Sequence, residues 1–262
     1  MPNYKAPLRD IRFLLHEVFD APREYAKCGF ADATEDMVDA ILSEGAKFAD
    51  NVVAPLNVPG DEHGSKWKDG KVTTAPGFKE AWAQFREGGW GSVGASPDFG
   101  GQGLPESVEL AINEMAHGGC LSWRMCAGLT LGAVHAIYAH ATDELKQRYL
   151  PKLISAEWTG TMCLTEPHAG SDVGIITTQA KPNDDGSFNI TGTKIFITYG
   201  EHDFTDNIVH LVLARLPGAP KGPKGISLFV VPKYLSKADG SLEGEINGVM
   251  CASIEKKMGI KA

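Results

Sequence analysis

Residues 162–174 read Met-Cys-Leu-Thr-Glu-Pro-His-Ala-Gly-Ser-Asp-Val-Gly, and they hold the densest set of groups that could do chemistry. A β-prone run over 159–165 ends at Thr165. A tight loop follows. Gly170 lets a partner approach the backbone closely, and Ser171 and Asp172 put polar groups at the tip. A strand end followed by a Gly-Ser loop suits a flat ring with an anionic tail. The same pattern also suits an ordinary strand–turn with a polar tip. Two carboxylates, Glu166 and Asp172, lie in this segment, where backbone-bonding roles are expected of both. His168 is expected on the loop surface and Cys163 as a small buried hydrophobe.

Other chemistries find little support. The net charge is −8, and the only basic clusters are short, Lys221 with Lys224 and Lys256 with Lys257. No basic stripe answers to a nucleic acid. The cysteines, at 28, 120, 126, 163 and 251, are odd in number and form no CxxC pair. They read as free thiols of a reducing compartment and give no metal site. His117, His135 and His140 lack metal-ligand spacing. No signal peptide opens the chain and no run of apolar residues is long enough to span a bilayer, so the expected location is cytoplasmic.

The elements that must position the loop change character along the chain. Ile11, Leu14, Leu15, Val18 and Phe19 recur at helical spacing. Asp32 and Glu35 suit a capping box for a second helix that ends before Pro55. Residues 55–76 read as loop. A third helix carries Phe78, Trp82 and Phe85 and stops at Gly88-Gly89. Helices are expected near 106–117 and 122–141, and another from Thr142 that Pro151 should break or kink. Beyond Trp158 the signal is β: Phe188 to Ile190, Lys194 to Thr198, Val209 to Leu216 and Gly225 to Val231. The tryptophans at 82, 90, 123 and 158 are expected in the core. The fold class is therefore α+β, with a helical bundle over 1–158 followed by a β-barrel-like domain over 159–262.

Several of these segments together resemble the acyl-CoA dehydrogenase family. Thr165-Glu166 followed by Gly170-Ser171-Asp172 is similar to its signature, with Ile175 where a small residue is more usual. Ser96 to Pro105 resembles its Gly-rich loop before a helix, and Lys146 to Leu153 its helix leading into the β-domain. Gly192 to Thr198 resembles its second flavin strand and Lys257-Met258-Gly259 its late β-domain motif. Order and spacing agree from about residue 35 to the end. Residues 1–35 and the run Thr198 to Asp203 resemble one branch, the 3-methylmercaptopropionyl-CoA dehydrogenase-like proteins.

The resemblance implies FAD as cofactor. Met162, Cys163, Leu164 and Thr165 would face the flavin ring, with the Thr165 hydroxyl among the contacts. Ser171 would sit near the flavin phosphates or the acyl-CoA, Phe196 would pack on the flavin and Thr198 would hydrogen-bond near its N5. A carboxylate would take the α-proton of an acyl-CoA, a hydride would leave the β-carbon, and the product would be the trans-2-enoyl-CoA. Electrons would pass to an electron-transfer flavoprotein. The carboxylate is expected on a C-terminal helical domain absent from these residues, so no base is named here and the chain alone is expected to be inactive. A homodimer or homotetramer is expected at full length. An oxidase or monooxygenase on the same scaffold, and a non-catalytic flavin-binding scaffold, are the other readings.

Overall fold

The computed structural model describes residues 4–237 and 239–262. Helix α1 (Leu8–Arg12) passes directly into a π-helical turn over Phe13–Val18, and α2 (Ala21–Lys27) follows. The π turn shifts the helical register. Ile11 is buried, but Leu14, Val18 and Phe19 are exposed, so the expected apolar face is not a buried one. Helix α3 (Glu35–Phe48) begins two residues later than the Asp32 box would place it: Thr34 is the cap, its hydroxyl accepting from the Met37 amide at 3.4 Å.

The expected stop before Pro55 does not occur. The helix continues through a π turn (Ala49–Val53) and a 3-10 turn (Ala54–Leu56) into α4 (Asn57–His63). Pro55 stands in the opening positions of its 3-10 turn, where a missing amide hydrogen is tolerated. Nor are residues 55–76 all loop. Strands β1 (Lys66–Lys68) and β2 (Lys71–Thr73) form a hairpin whose two linking residues, Asp69 and Gly70, both have positive φ. That is the turn chemistry an Asp-Gly pair supports.

Helices α5 (Phe78–Glu87), α6 (Glu106–Gly119), α7 (Leu121–His140) and α8 (Asp143–Ile154) lie where the periodicity places them. Helix α8 runs through Pro151 and ends only after Ile154, so the expected break is displaced by one turn. The core is aromatic at its centre. Trp82 stacks on Phe204 at 5.4 Å, and the indole N–H groups of Trp82 and Trp123 donate to the carbonyls of Ala156 and Phe78.

The β part opens with β3 (Thr159–Cys163), followed by β4 (Gln179–Pro182), β5 (Phe188–Thr191), β6 (Ile208–Arg215) and β7 (Ile226–Pro232). These make a curled mixed sheet. Strand β3 runs parallel to β6 from Thr159↔Ile208 to Cys163↔Val212, and β7 runs antiparallel along the other edge of β6. Strand β4 meets β6 at Gln179↔Arg215 and pairs antiparallel with β5. A small ladder of β8 (Tyr234–Ser236) and β9 (Leu242–Ile246) follows. Residues 192–198 form no strand. Phe196 and Tyr199 have positive φ, which an extended run cannot hold, so the expected second flavin strand is an irregular segment.

One apolar cluster joins helices to sheet: Val134 and Ile137 of α7, Leu150 and Leu153 of α8, and Val209 and Leu211 of β6. Strand β3 can lie against α7 because position 160 is glycine. A Cβ there would come within 2.4 Å of the Ala133 Cβ. The Gly160 amide donates to the Thr130 hydroxyl at 3.0 Å. The position of Met162 and Cys163 is thus set by helix packing two residues upstream.

Candidate functional site

Strand β3 ends at Cys163, and the chain then leaves the sheet until Gln179. Cys163 is buried, and burial raises its thiol pKa although Thr161 offers a hydrogen bond. Met162, on the opposite side of the strand, is exposed. The alternation of a strand explains the difference.

Glu166 is the anchor of the loop. It is only 2% exposed, and both its oxygens are engaged. Oε2 accepts from the Thr177 amide at 2.7 Å and the Thr177 hydroxyl at 2.9 Å. Oε1 accepts from the Thr178 amide at 3.0 Å and from Lys194 Nζ at 2.8 Å. Burial pushes its pKa up, but the bonds from Lys194 and from the Thr177 and Thr178 amides outweigh burial and hold it down at about 2. Glu166 and Ala169 also exchange both backbone hydrogen bonds, closing a tight turn with half-exposed His168 at its corner.

The same network brings the two flavin-like segments together. Lys194 Nζ also donates to the Leu164 carbonyl at 3.0 Å, and the Ile195 amide donates to the Thr165 carbonyl at 2.9 Å. The far end of the second segment is tied to α7, where the Tyr199 hydroxyl donates to the Ser122 carbonyl at 2.8 Å. Thr165 and Thr198 are half-buried, and Phe196 is 54% exposed with the Lys257 ammonium 4.7 Å from its ring centre. Among the described residues, the hydroxyls of Thr165, Ser171 and Thr198 make no hydrogen bond. Leu164 and Thr165 are therefore joined to Lys194 and Ile195, next to Phe196, while Ser171 lies in the exposed loop tip. The free hydroxyls of Thr165 and Thr198 near the exposed Phe196 ring fit a flat, polar ring system.

Two charged residues that sequence reading passed over lie deeper. Glu109 of α6 and Arg124 of α7 are 5% and 3% exposed and border a cavity of about 20 Å³ with Trp82, Trp90, Thr130 and Leu153. Arg124 donates to the Asn113 side chain, and its Nη1 has no partner among the described residues. Burial raises the Glu109 pKa and brings the Arg124 guanidinium down to about 10. The cavity has room for about one water molecule. The available signal was a charge on the face that also carries Val108, Ile112 and Met115.

Beneath β3 lies a second polar set. The Thr159 hydroxyl is 2.8 Å from His202 Nε2, and the Thr161 hydroxyl is 2.7 Å from His210 Nδ1. Both imidazoles are held neutral. Burial, with Lys233 nearby, lowers His202 to about 3 and His210 to about 4.

The family model described as "Acyl-CoA dehydrogenase, N-terminal domain" matches residues 36–157, and "Acyl-CoA dehydrogenase, middle domain" matches residues 161–262. The chain is 43% identical to the 3-methylmercaptopropionyl-CoA dehydrogenase of Ruegeria pomeroyi over 99% of this chain and 44% of that protein. It is 40% identical to a butyryl-CoA dehydrogenase of Syntrophomonas wolfei over 98% of this chain and 43% of that protein. A solved acyl-CoA dehydrogenase from Bacillus anthracis, complexed with FAD, superposes with a TM-score of 0.66 at 26% identity, covering 88% of this chain and 34% of that one. The chain thus spans less than half the length of these relatives. Matching family models over the helical part and over the sheet, in the order the fold presents them, show that the chain belongs to the acyl-CoA dehydrogenase family.

Proposed function

We propose that this chain is the helical part (1–158) and the β-part (159–262) of a flavoenzyme that oxidises an acyl-CoA to its trans-2-enoyl-CoA. The observation that carries the reading is the union of Thr165 with Ile195 and Phe196 across a single backbone hydrogen bond of 2.9 Å. It gathers the residues assigned to flavin contact. Met162 to Thr165 offer backbone and the Thr165 hydroxyl to the ring, Phe196 its aromatic face and Thr198 a hydroxyl. A flavin bound there would supply the hydride acceptor. The residues present would hold and orient it.

Neither carboxylate of the loop is the proton acceptor. A carboxylate held down at about 2 with both oxygens engaged is a poor base, which argues against Glu166. Asp172 is turned back onto the Gly174 amide at 2.9 Å. The base is assigned outside residues 1–262. Similarity to the R. pomeroyi and S. wolfei enzymes favours a short or thioether-bearing acyl group, and the family resemblance adds an electron-transfer flavoprotein as electron acceptor and a homo-oligomer at full length.

The test is anaerobic titration of the natural-length protein with a panel of acyl-CoAs that includes 3-methylmercaptopropionyl-CoA and butyryl-CoA. Bleaching of the oxidised-flavin absorbance by one of them is expected. A protein that binds no flavin, or one whose flavin no acyl-CoA reduces, overturns the assignment.

A further inference from the structure

The excursion that carries Ser171 has an unusually narrow base. It leaves the sheet at Cys163, opposite Val212, and rejoins it at Gln179, opposite Arg215, three positions further along the same strand. Strand β7 occupies the other edge of β6, so both feet of the excursion stand on one edge. Glu166 ties the outgoing foot to Thr177 and Thr178. Above that level, only backbone carbonyls are available on the return limb.

Arg215 takes them. Its Nε donates to the Ile176 carbonyl at 2.9 Å and its Nη2 to the Gly174 carbonyl. The same guanidinium reaches a second loop, with Nη1 on the Pro220 carbonyl at 3.0 Å and Nη2 also on the Gly222 carbonyl at 2.9 Å. One planar cation thus pins two loops to the end of β6. The fit is close. A Cβ on Gly174 would lie 3.3 Å from the Gly222 Cα, and one on Gly225 would lie 1.8 Å from the Pro220 carbonyl oxygen and 2.8 Å from Arg215 Nη1.

The tip held by this clamp faces outward. Gly170, Ser171 and Asp172 are exposed. Among the described residues, the amides of Gly170, Ser171 and Val173 and the Ser171 hydroxyl have no acceptor. The Asp172 carboxylate is drawn away from the tip onto the Gly174 amide. Closely spaced free amides with a hydroxyl suit an anionic oxygen cluster. We propose that Arg215 is a positioning residue that sets the 170–173 tip as a binding surface for a phosphate ester, acting through the carbonyls of Gly174 and Ile176. The inference rests on the acyl-CoA dehydrogenase reading, in which the phosphate belongs either to the CoA nucleotide or to the flavin nucleotide.

The test uses the natural-length protein and its Arg215→Ala and Arg215→Lys variants. KM and kcat are measured for an acyl-CoA and for the matching acyl-pantetheine, which lacks the nucleotide. Dissociation constants are measured for FAD and for riboflavin. If the phosphate is that of CoA, Arg215→Ala raises the acyl-CoA KM about tenfold and leaves kcat and the acyl-pantetheine KM unchanged. If it is that of the flavin nucleotide, FAD affinity falls by a similar factor and riboflavin affinity does not. Arg215→Lys falls between, because three donors on one nitrogen cannot span four carbonyls. It is read in the same way should the alanine variant not fold. Equal losses for phosphate-bearing and phosphate-free ligands, or no loss in either, overturn the proposal whatever happens to Tm. A wild-type protein that binds no flavin, or whose flavin no acyl-CoA reduces, removes the underlying reading and this inference with it. A wild type bleached by acyl-CoA beside variants with unaltered ligand affinity removes this inference alone.

Discussion

Lys194 Nζ stands 2.8 Å from Glu166 Oε1 and 3.0 Å from the Leu164 carbonyl, joining two segments about thirty residues apart in sequence. Both side chains are nearly buried, at 10% and 1% exposure, so the pair is shielded from the screening that weakens surface ion pairs. Removing one partner leaves a buried charge short of a bond. Lys194→Met should cost about 3 kcal/mol in a urea titration. Because the Ile195–Thr165 contact sits beside this pair, the variant should also lose bound flavin. A loss below about 1 kcal/mol would show that the Thr177 and Thr178 donors hold Glu166 unaided.

Gly160 governs how closely β3 approaches α7. In Gly160→Ala the new methyl group meets the Ala133 Cβ at 2.4 Å, so strand or helix must move. Destabilisation of about 2 kcal/mol is expected by thermal or chemical unfolding. Adding Ala133→Gly should restore much of the loss, since it removes the atom that is struck. If the double variant is no better than the single one, the contact is not the cause.

Acid should weaken the fold in two stages. His202 and His210, lowered to about 3 and about 4 from 6.5, stay neutral in the folded protein while the unfolded chain takes up protons. Their contribution is complete above pH 6.5 and is lost as pH falls from there toward 4 and 3. Glu166, lowered from 4.5 to about 2, adds a second loss as pH falls from 4.5 toward 2. Urea titrations across this range should show His210→Gln with a shallower decline between pH 6.5 and 4 than the parent protein. Parallel curves would mean that His210 titrates alike in both states.

Much of the architecture was legible because it depends on local pattern. The spacing of Phe78, Trp82 and Phe85 marks α5, and the apolar β-branched runs mark β6 and β7. The failures share a cause. Pro55 and Pro151 read as breaks, but one stands at a turn opening and the other lies one turn from its helix end, positions that depend on where the helix begins and stops. The Asp69-Gly70 hairpin has strands too short for alternation to show. Lys194 to Thr198 has strand composition, yet its hydrogen bonds go to Leu164, Thr165 and Glu166 instead of to a ladder.

By itself, the sequence determined the order of a helical half and a β half, the family to which both belong, and the identity of the loop from Thr165 to Asp172 as the place to look. Those follow from periodicity and from short motifs, which are properties of neighbouring residues. The tertiary structure alone decided that Glu166 is a buried strut with both oxygens engaged, that Arg215 clamps the loop from the end of β6, and that Glu109 and Arg124 border one small cavity. Each of these depends on which side chains converge after folding. The burial and the hydrogen bonds that assign a charged residue its role come from partners elsewhere in the chain.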